Sequence, residues 1–212
     1  MPVLRSGFER ALKGFSITEF EDDHSVVFGM NPAYELAYLN PAWFEFARAN
    51  QGEPAISREW GLGRCVLDSV PTVLLAFYQQ AFDRCMASGR PWEHDYECSS
   101  DEIYRLFHLI LYPLPNRRGL LAVHSLAGET TQAAVGREQR VSNLDAYVDD
   151  DGVIHQCFHC RRVQHATNTQ RWDWVPACLR ERPAKVSHSL CPTCLDFHYP
   201  ESPGGYAPPD TA

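Results

Sequence analysis

Cys157-Phe158-His159-Cys160 and Cys191-Pro192-Thr193-Cys194 place four sulfur donors within one C-terminal segment. A Cys-x-x-Cys turn presents two thiolates to one point, and two such turns supply the closed four-sulfur set of a structural Zn²⁺ site. Two other chemistries use the same residues. One is a thiol redox switch in which oxidation ejects the metal. The other is iron, held as a cluster or as haem bound through the Cys191-Pro192 dipeptide. His155, His159 and His188 stand close enough in sequence to replace one sulfur or to support the ligands from outside. The expected ligand set is Cys157, Cys160, Cys191 and Cys194.

The two cysteine pairs are separated by 30 residues, against a common zinc-ribbon spacing of about 15–20. Folded structure must fill that gap. Trp172, Val175, Cys178 and Leu179 fall at i, i+3, i+6 and i+7, so a helix carrying Trp172 across the knuckles is expected. Pro176 is tolerable there only in a first turn. Cys178 then belongs to an apolar stripe and is core rather than ligand. No Gly-rich phosphate loop, Gly-x-Ser-x-Gly elbow or His-Glu-x-x-His helix occurs, and nothing else is left to assign as catalytic. The expectation is a protein that is not an enzyme.

The chain has 212 residues, with 44% hydrophobic and 22% charged content and a net charge of −8. Those proportions are ordinary for a folded protein of one medium and one small domain. No apolar run approaches the ~20 residues of a membrane span. Arg5, Glu9, Arg10 and Lys13 interrupt the N-terminal stretch where a secretory signal would be apolar. A cytoplasmic location is expected, and in that compartment clustered cysteines are better explained by metal than by disulfides. Residues 157–199 carry six basic and three acidic groups, net +3, against −11 for the remainder. Four thiolates with one Zn²⁺ add about −2, so the basic excess nearly disappears. Nucleic-acid binding through Arg161, Arg162, Arg180 and Arg182 is therefore the weakest reading.

Several elements must position these groups. Leu4, Phe8, Leu12 and Phe15 form a helical stripe, which predicts an N-terminal amphipathic helix over 1–22. It either covers its own domain or pairs with the same helix of a second copy as a homodimer. Two strands follow, His24 to Gly29 and Ala33 to Leu39, broken by the Asn31-Pro32 turn. Asn40 caps a helix that has Pro41 at its first position. Pro71 to Met86 is a second amphipathic helix ending at Ser88-Gly89. Strands at Trp92–Cys98, Ile103–Leu114 and Leu120–Leu126 then form a meander.

The run Leu36-Ala37-Tyr38-Leu39-Asn40-Pro41-Ala42-Trp43-Phe44 resembles the junction between the second strand and the following helix of PAS domains. Residues 105–114 and 120–126 resemble the last two strands of that family. The likeness covers about residues 23–128. It implies an α+β fold with a PAS-like five-stranded antiparallel sheet, flanking helices on one face, and a small-molecule pocket or apolar core. The flavin-photoreceptor subgroup needs cysteine in an Asn-Cys-Arg context, and Cys65, Cys85 and Cys98 lack it. Haem is a further ligand implied by the family. The helix 71–86 has no histidine, so His124 and His108 on the strands are the candidate axial ligands, with His94 beside them. The alternative for each is a hydrogen-bonded structural histidine.

Residues 153–199 resemble a cysteine-rich module attached to bacterial signalling domains, matching at Cys157-x-x-Cys160-Arg161-Arg162-Val163 and at Ser187-His188-Ser189-Leu190-Cys191-Pro192-Thr193-Cys194. Ser189 stands where that family usually has glycine. The organisation expected is an N-terminal helix (1–22), a sensor domain (23–128), a linker (129–148), a small zinc-ribbon-like module built on the four cysteines (149–199) and a flexible tail (200–212). The function expected is that of a sensory or adaptor protein in signal transduction. Its first domain would take a ligand or a partner, and its metal module would contact a signalling protein. A haem-dependent gas or redox sensor and a zinc-based thiol switch are the alternatives.

Overall fold

The computed structural model describes residues 3–50, 52–140, 144–180 and 185–199. The expected tail 200–212 and residues 141–143 of the expected linker lie outside the described residues. The chain divides into two compact units. The first is Met1–Val70, Leu74–Asp95 and Phe107–Leu126; the second is Pro71–Val73, Tyr96–Leu106 and Ala127–Ala212. The division therefore runs through three strands rather than through a linker.

The N-terminal segment does not form the expected helix. It gives a two-residue strand β1 (Val3–Leu4), a 3-10 turn at Phe8–Arg10, and a short helix α1 (Ile17–Asp22) capped by Ser16. Gly7 at φ 86° and Gly14 at φ 101° flank the middle of the stripe. Both lie in the left-handed region, where a right-handed helix cannot continue. The stripe residues still converge. Phe8 and Leu12 are buried against Val27, Tyr38 and Leu121, with Leu4 and Phe15 packed at the edge. The apolar stripe thus covers its own sheet, and the helix on which self-association would have rested is not formed.

β2 (Val26–Met30) and β3 (Leu36–Leu39) pair antiparallel, and both are buried almost throughout because the sheet is covered on two faces. Asn40 joins this pair to α2 (Pro41–Ala49). Its Oδ1 accepts from Trp43 N at 3.2 Å and from Val27 N at 3.0 Å. Its Nδ2 donates to Phe20 O and Ser25 O. One fully buried side chain therefore caps the helix and ties down two neighbouring segments. α3 (Ala55–Glu59) and α4 (Thr72–Ser88) follow, and α4 buries Leu74, Tyr78, Ala81, Phe82 and Cys85.

β4 (Trp92–Glu97), β5 (Ile103–Pro113) and β6 (Leu120–Thr131) complete the sheet through two short connections. The turn into β6 requires Gly119, since at φ 132° a Cβ there would stand 1.9 Å from Met30 O. The strand order is β1-β3-β2-β6-β5-β4. The sheet has six strands where five were expected, and the additional one is β1, paired to β3 through Val3↔Leu39.

In the second unit β6 leads through α5 (Gln132–Val135) into β7 (Ile154–Cys157), β8 (Val163–His165), β9 (Asn168–Asp173), α6 (Ala177–Arg180), β10 (Val186–Ser189) and α7 (Pro192–His198). These strands form a second sheet in the order β10-β7-β8-β9. Tyr147, Ile154, Val163, Val175 and Cys178 form a buried cluster against it. The expected linker thus contributes Tyr147 to a core. Trp172 lies on β9, opposite Gln164, and not on a helix. Among the described residues of this stretch the helix is Ala177–Arg180, beginning just after Pro176. The helical spacing of Val175 and Cys178 reflects that both face the core, across a change from strand to helix.

Candidate metal centre

The two cysteine pairs meet because β7 and β10 run parallel in register, with Ser189 opposite Cys157. Parallel strands end at the same side of a sheet, so the turn after each one opens at the same place. In the first turn Phe158 N donates to Ser189 O at 2.8 Å, and Arg161 N donates back to Cys157 O at 3.1 Å. Arg161 adopts φ 62°, the left-handed conformation that closes the knuckle. In the second turn Cys191 caps α7, its Sγ accepting from Cys194 N at 3.5 Å, with Pro192 in the first helical position.

All four sulfurs lie within 4.8 Å of one another. Cys160 Sγ and Cys191 Sγ are 3.6 Å apart, far beyond the ~2.05 Å of a disulfide. At a Zn–S length of about 2.3 Å, tetrahedral sulfurs stand about 3.8 Å apart. The donor set and its spacing therefore fit Zn²⁺. All four side chains are buried, from 0% exposed at Cys157 to 5% at Cys194. With no cation, hydrogen bonds from the other three thiols draw the Cys157 thiol down, whereas its partners hold Cys194 up. A divalent ion would replace that shared-proton arrangement with four thiolates. Burial works against the charge of Arg162, but the sulfurs of Cys160, Cys191 and Cys194 outweigh it and raise its pKa, with a hydrogen bond to Cys191 adding to the effect. Cys191 also lines a cleft of about 370 Å³, together with Arg162, Trp172 and Trp174.

The histidines of this unit are not in the sulfur set. His159 is fully buried, with Nδ1 3.0 Å from Glu97 O and Nε2 2.7 Å from Tyr199 Oη. A carbonyl only accepts, so Nδ1 carries the proton and Nε2 accepts from the tyrosine hydroxyl. Burial lowers its pKa to about 4, keeping the ring neutral. His155 is bonded to Asp149, and His188 packs edge-on to Phe158.

A buried ion pair completes the centre. Arg137 Nη2 donates to both carboxylate oxygens of Glu97, at 2.7 and 2.8 Å. Side-chain exposure is only 8% and 6%. Sequence alternation on β4 sets Glu97 with Glu93 and Asp95 on the polar face, so periodicity alone hides this residue. Glu97, Cys194 and His198 also cluster within 4.8 Å, but the carboxylate is taken by Arg137 and Ser99, and Cys194 belongs to the four-sulfur set.

The candidate haem ligands lie in the first unit and on opposite faces of its sheet. His124 stacks on Phe28, which packs against Trp43 of α2. Burial holds its pKa down at about 4. Phe107 meets Phe46 of α2 on that same face. The adjacent His108 therefore points the other way, and it lies 2.5 Å from Asp95 and 3.6 Å from Glu93. One haem cannot take both rings, and His108 is already engaged by carboxylates. His94 stacks with Trp92 and packs on Phe77. Haem ligation is unsupported by these positions.

Of the arginines considered for nucleic acid, Arg161 lies over Phe158 and donates to Ser99 O, and Arg180 pairs with Asp101. Arg182 is outside the described residues. Among the described residues no helix is long and apolar enough to cross a membrane.

No protein-family model matches the sequence. No curated protein matches it either. Among solved structures the chain is similar to that titled as the crystal structure of the phage VqmA-DPO complex, at 12% identity and a TM-score of 0.40. That match covers 61% of this chain and 57% of the other.

Proposed function

We propose that the protein is a cytoplasmic sensory or adaptor protein without catalytic activity of its own. In this reading the first unit is a PAS-like domain that takes a ligand or partner, and the second is a zinc-held module that contacts a signalling protein. The observation that carries the metal part is the set of four buried cysteine sulfurs within 4.8 Å of one another. A closed set of four thiolates has no open position for substrate, so its role is to cross-link the module. Zinc, when bound, supplies that cross-link. The chain itself supplies the parallel β7 and β10 that align the knuckles, the N-cap at Cys191, and the Arg162 charge beside the sulfurs.

Support for the PAS-like part comes from element order. Two antiparallel strands are followed by helices and then by three strands in a meander, and the buried Asn40 followed by Pro41 sits at the strand-to-helix junction. The test is elemental analysis and an absorption spectrum of the purified protein, followed by recovery of partners from cells. Expected are one zinc per chain and a spectrum without a visible band. Iron, or a coloured sample, would overturn the zinc reading. A protein that binds neither a small molecule nor a partner would overturn the sensory one.

A further inference from the structure

The end of β4 and the turn after it are fastened to the first cysteine knuckle within the second unit. The Arg137 guanidinium spans the gap. Two of its N–H groups grip the Glu97 carboxylate, and Nη1 donates to Cys160 O at 3.2 Å. The faces of Tyr104 and Trp174 stand 5.4 and 5.5 Å from the guanidinium carbon, fixing its plane. The knuckle reaches back through His159 Nδ1 to Glu97 O and through Arg161 Nε to Ser99 O. Residues 97 and 99 thus receive contacts from three consecutive knuckle residues, 159 to 161, either directly or through Arg137.

A buried ion pair adds little stability over apolar side chains of similar size, because both charges lose their water. What this pair does supply is position. A guanidinium can hold a carboxylate bidentately and still donate to a carbonyl, whereas an ammonium cannot match that fork. We propose that Arg137 is a positioning residue for the metal centre. Through it, metal affinity is linked to the order of the β4–β5 turn, residues 97–103. An ordered turn holds the Cys160 backbone where its sulfur completes the set, and a loosened turn releases it. Linkage is reciprocal, so loss of metal loosens the turn. This inference rests on the zinc reading above.

Metal content is measured first on the purified native protein. If no metal is bound, the zinc reading fails and this inference falls with it. If zinc is bound, affinity is compared by competition with a chromophoric chelator. Arg137→Ala and Arg137→Lys are expected to bind zinc about 10–100-fold more weakly, the range typical for losing a group that orients a ligand. Arg180→Ala, which touches the same turn at Asp101 but no knuckle residue, should match the native protein. With cobalt in place of zinc, the visible d–d bands should shift in Arg137→Lys and stay unchanged in the core variant Cys178→Ala, separating positioning from general destabilisation. Unchanged affinity and unchanged bands in a folded Arg137→Lys protein would overturn the proposal. Should both Arg137 variants fail to fold, amide exchange on the native protein decides. Removing zinc must strip protection from 97–103 while leaving β2 and β3 protected, and a turn that stays protected would overturn it.

Discussion

The two units hold themselves together by different means. In the first, apolar side chains cover both faces of the sheet, and Val27, Leu36, Leu111 and Leu121 are all fully buried. Its one buried asparagine, Asn40, meets backbone partners on every side. The second unit gathers Tyr147, Ile154, Val163, Val175 and Cys178 in one small apolar cluster and buries Glu97, Gln156 and His159 beside its cysteines. Hydrophobic burial scales poorly in small modules, and metals or ion pairs commonly make up the difference. The lesson is that the first unit is specified by pattern, whereas the second is specified by a few particular atoms.

Removing the metal should break the comparison most sharply. Structural zinc in small modules carries an apparent binding energy of roughly 10–16 kcal/mol at neutral pH, more than a small apolar cluster can replace. Chelation, or Cys157→Ser, is expected to abolish the cooperative unfolding of the second unit while the first still unfolds cooperatively. Calorimetry with and without chelator checks this. A second unit that keeps its transition without metal would show that its core suffices.

The converse experiment strikes the first unit. Asn40→Ala removes the cap of α2 and leaves Val27 N, Phe20 O and Ser25 O without their present partner. Together these losses should cost on the order of 3–5 kcal/mol. Asn40→Asp keeps both acceptor contacts but sets a buried carboxylate oxygen against Phe20 O and Ser25 O, and should cost at least as much as Asn40→Ala. Urea denaturation of each variant measures this, and zinc content should be unaffected.

The difference between the units also explains what was legible in the sequence. Short apolar runs bounded by turns located β2, β3 and β6, alternation located β4 and β5, and capping and helical spacing located α2 and α4, all to within about five residues, because Asn40-Pro41 has one mechanical meaning and burial in β4 and β5 follows the period. The Cys-x-x-Cys spacing identified all four sulfurs. Periodicity misled where backbone conformation overrides it. Gly7 and Gly14 break a stripe that reads as one helix, and Trp172 and Cys178 share a helical spacing across a strand-to-helix junction. The Glu97–Arg137 pair was invisible, since a charge that alternation assigns to solvent is buried only by contacts 40 residues away.

A smaller effect distinguishes the interiors by acid. In the first unit, burial holds His124 at a pKa of about 4, below its ordinary 6.5. Between those values the unfolded chain binds a proton that the folded chain refuses, so stability falls as pH falls from 6.5 toward 4 and is level above that window. The full shift corresponds to at most about 3 kcal/mol. His124→Phe should flatten the first unit's stability across the window, measured by denaturation at fixed pH steps. Stability that rises with acid would mean that the folded ring is charged.

The smallest effect tests whether atoms or pattern decide within the second unit itself. Cys178 is as buried as the four knuckle cysteines, at 3% exposed, yet it packs among Tyr147, Val163 and Val175 and lies outside the sulfur set. Cys178→Ala deletes one buried sulfur and should cost about 1 kcal/mol as a small cavity. One zinc per chain should be retained. Cys194→Ala makes the same chemical deletion 16 residues along, and there the metal should be lost. If Cys178→Ala also released zinc, the module's ligands and its core could not be separated, and the contrast between the two units would narrow to one of size alone.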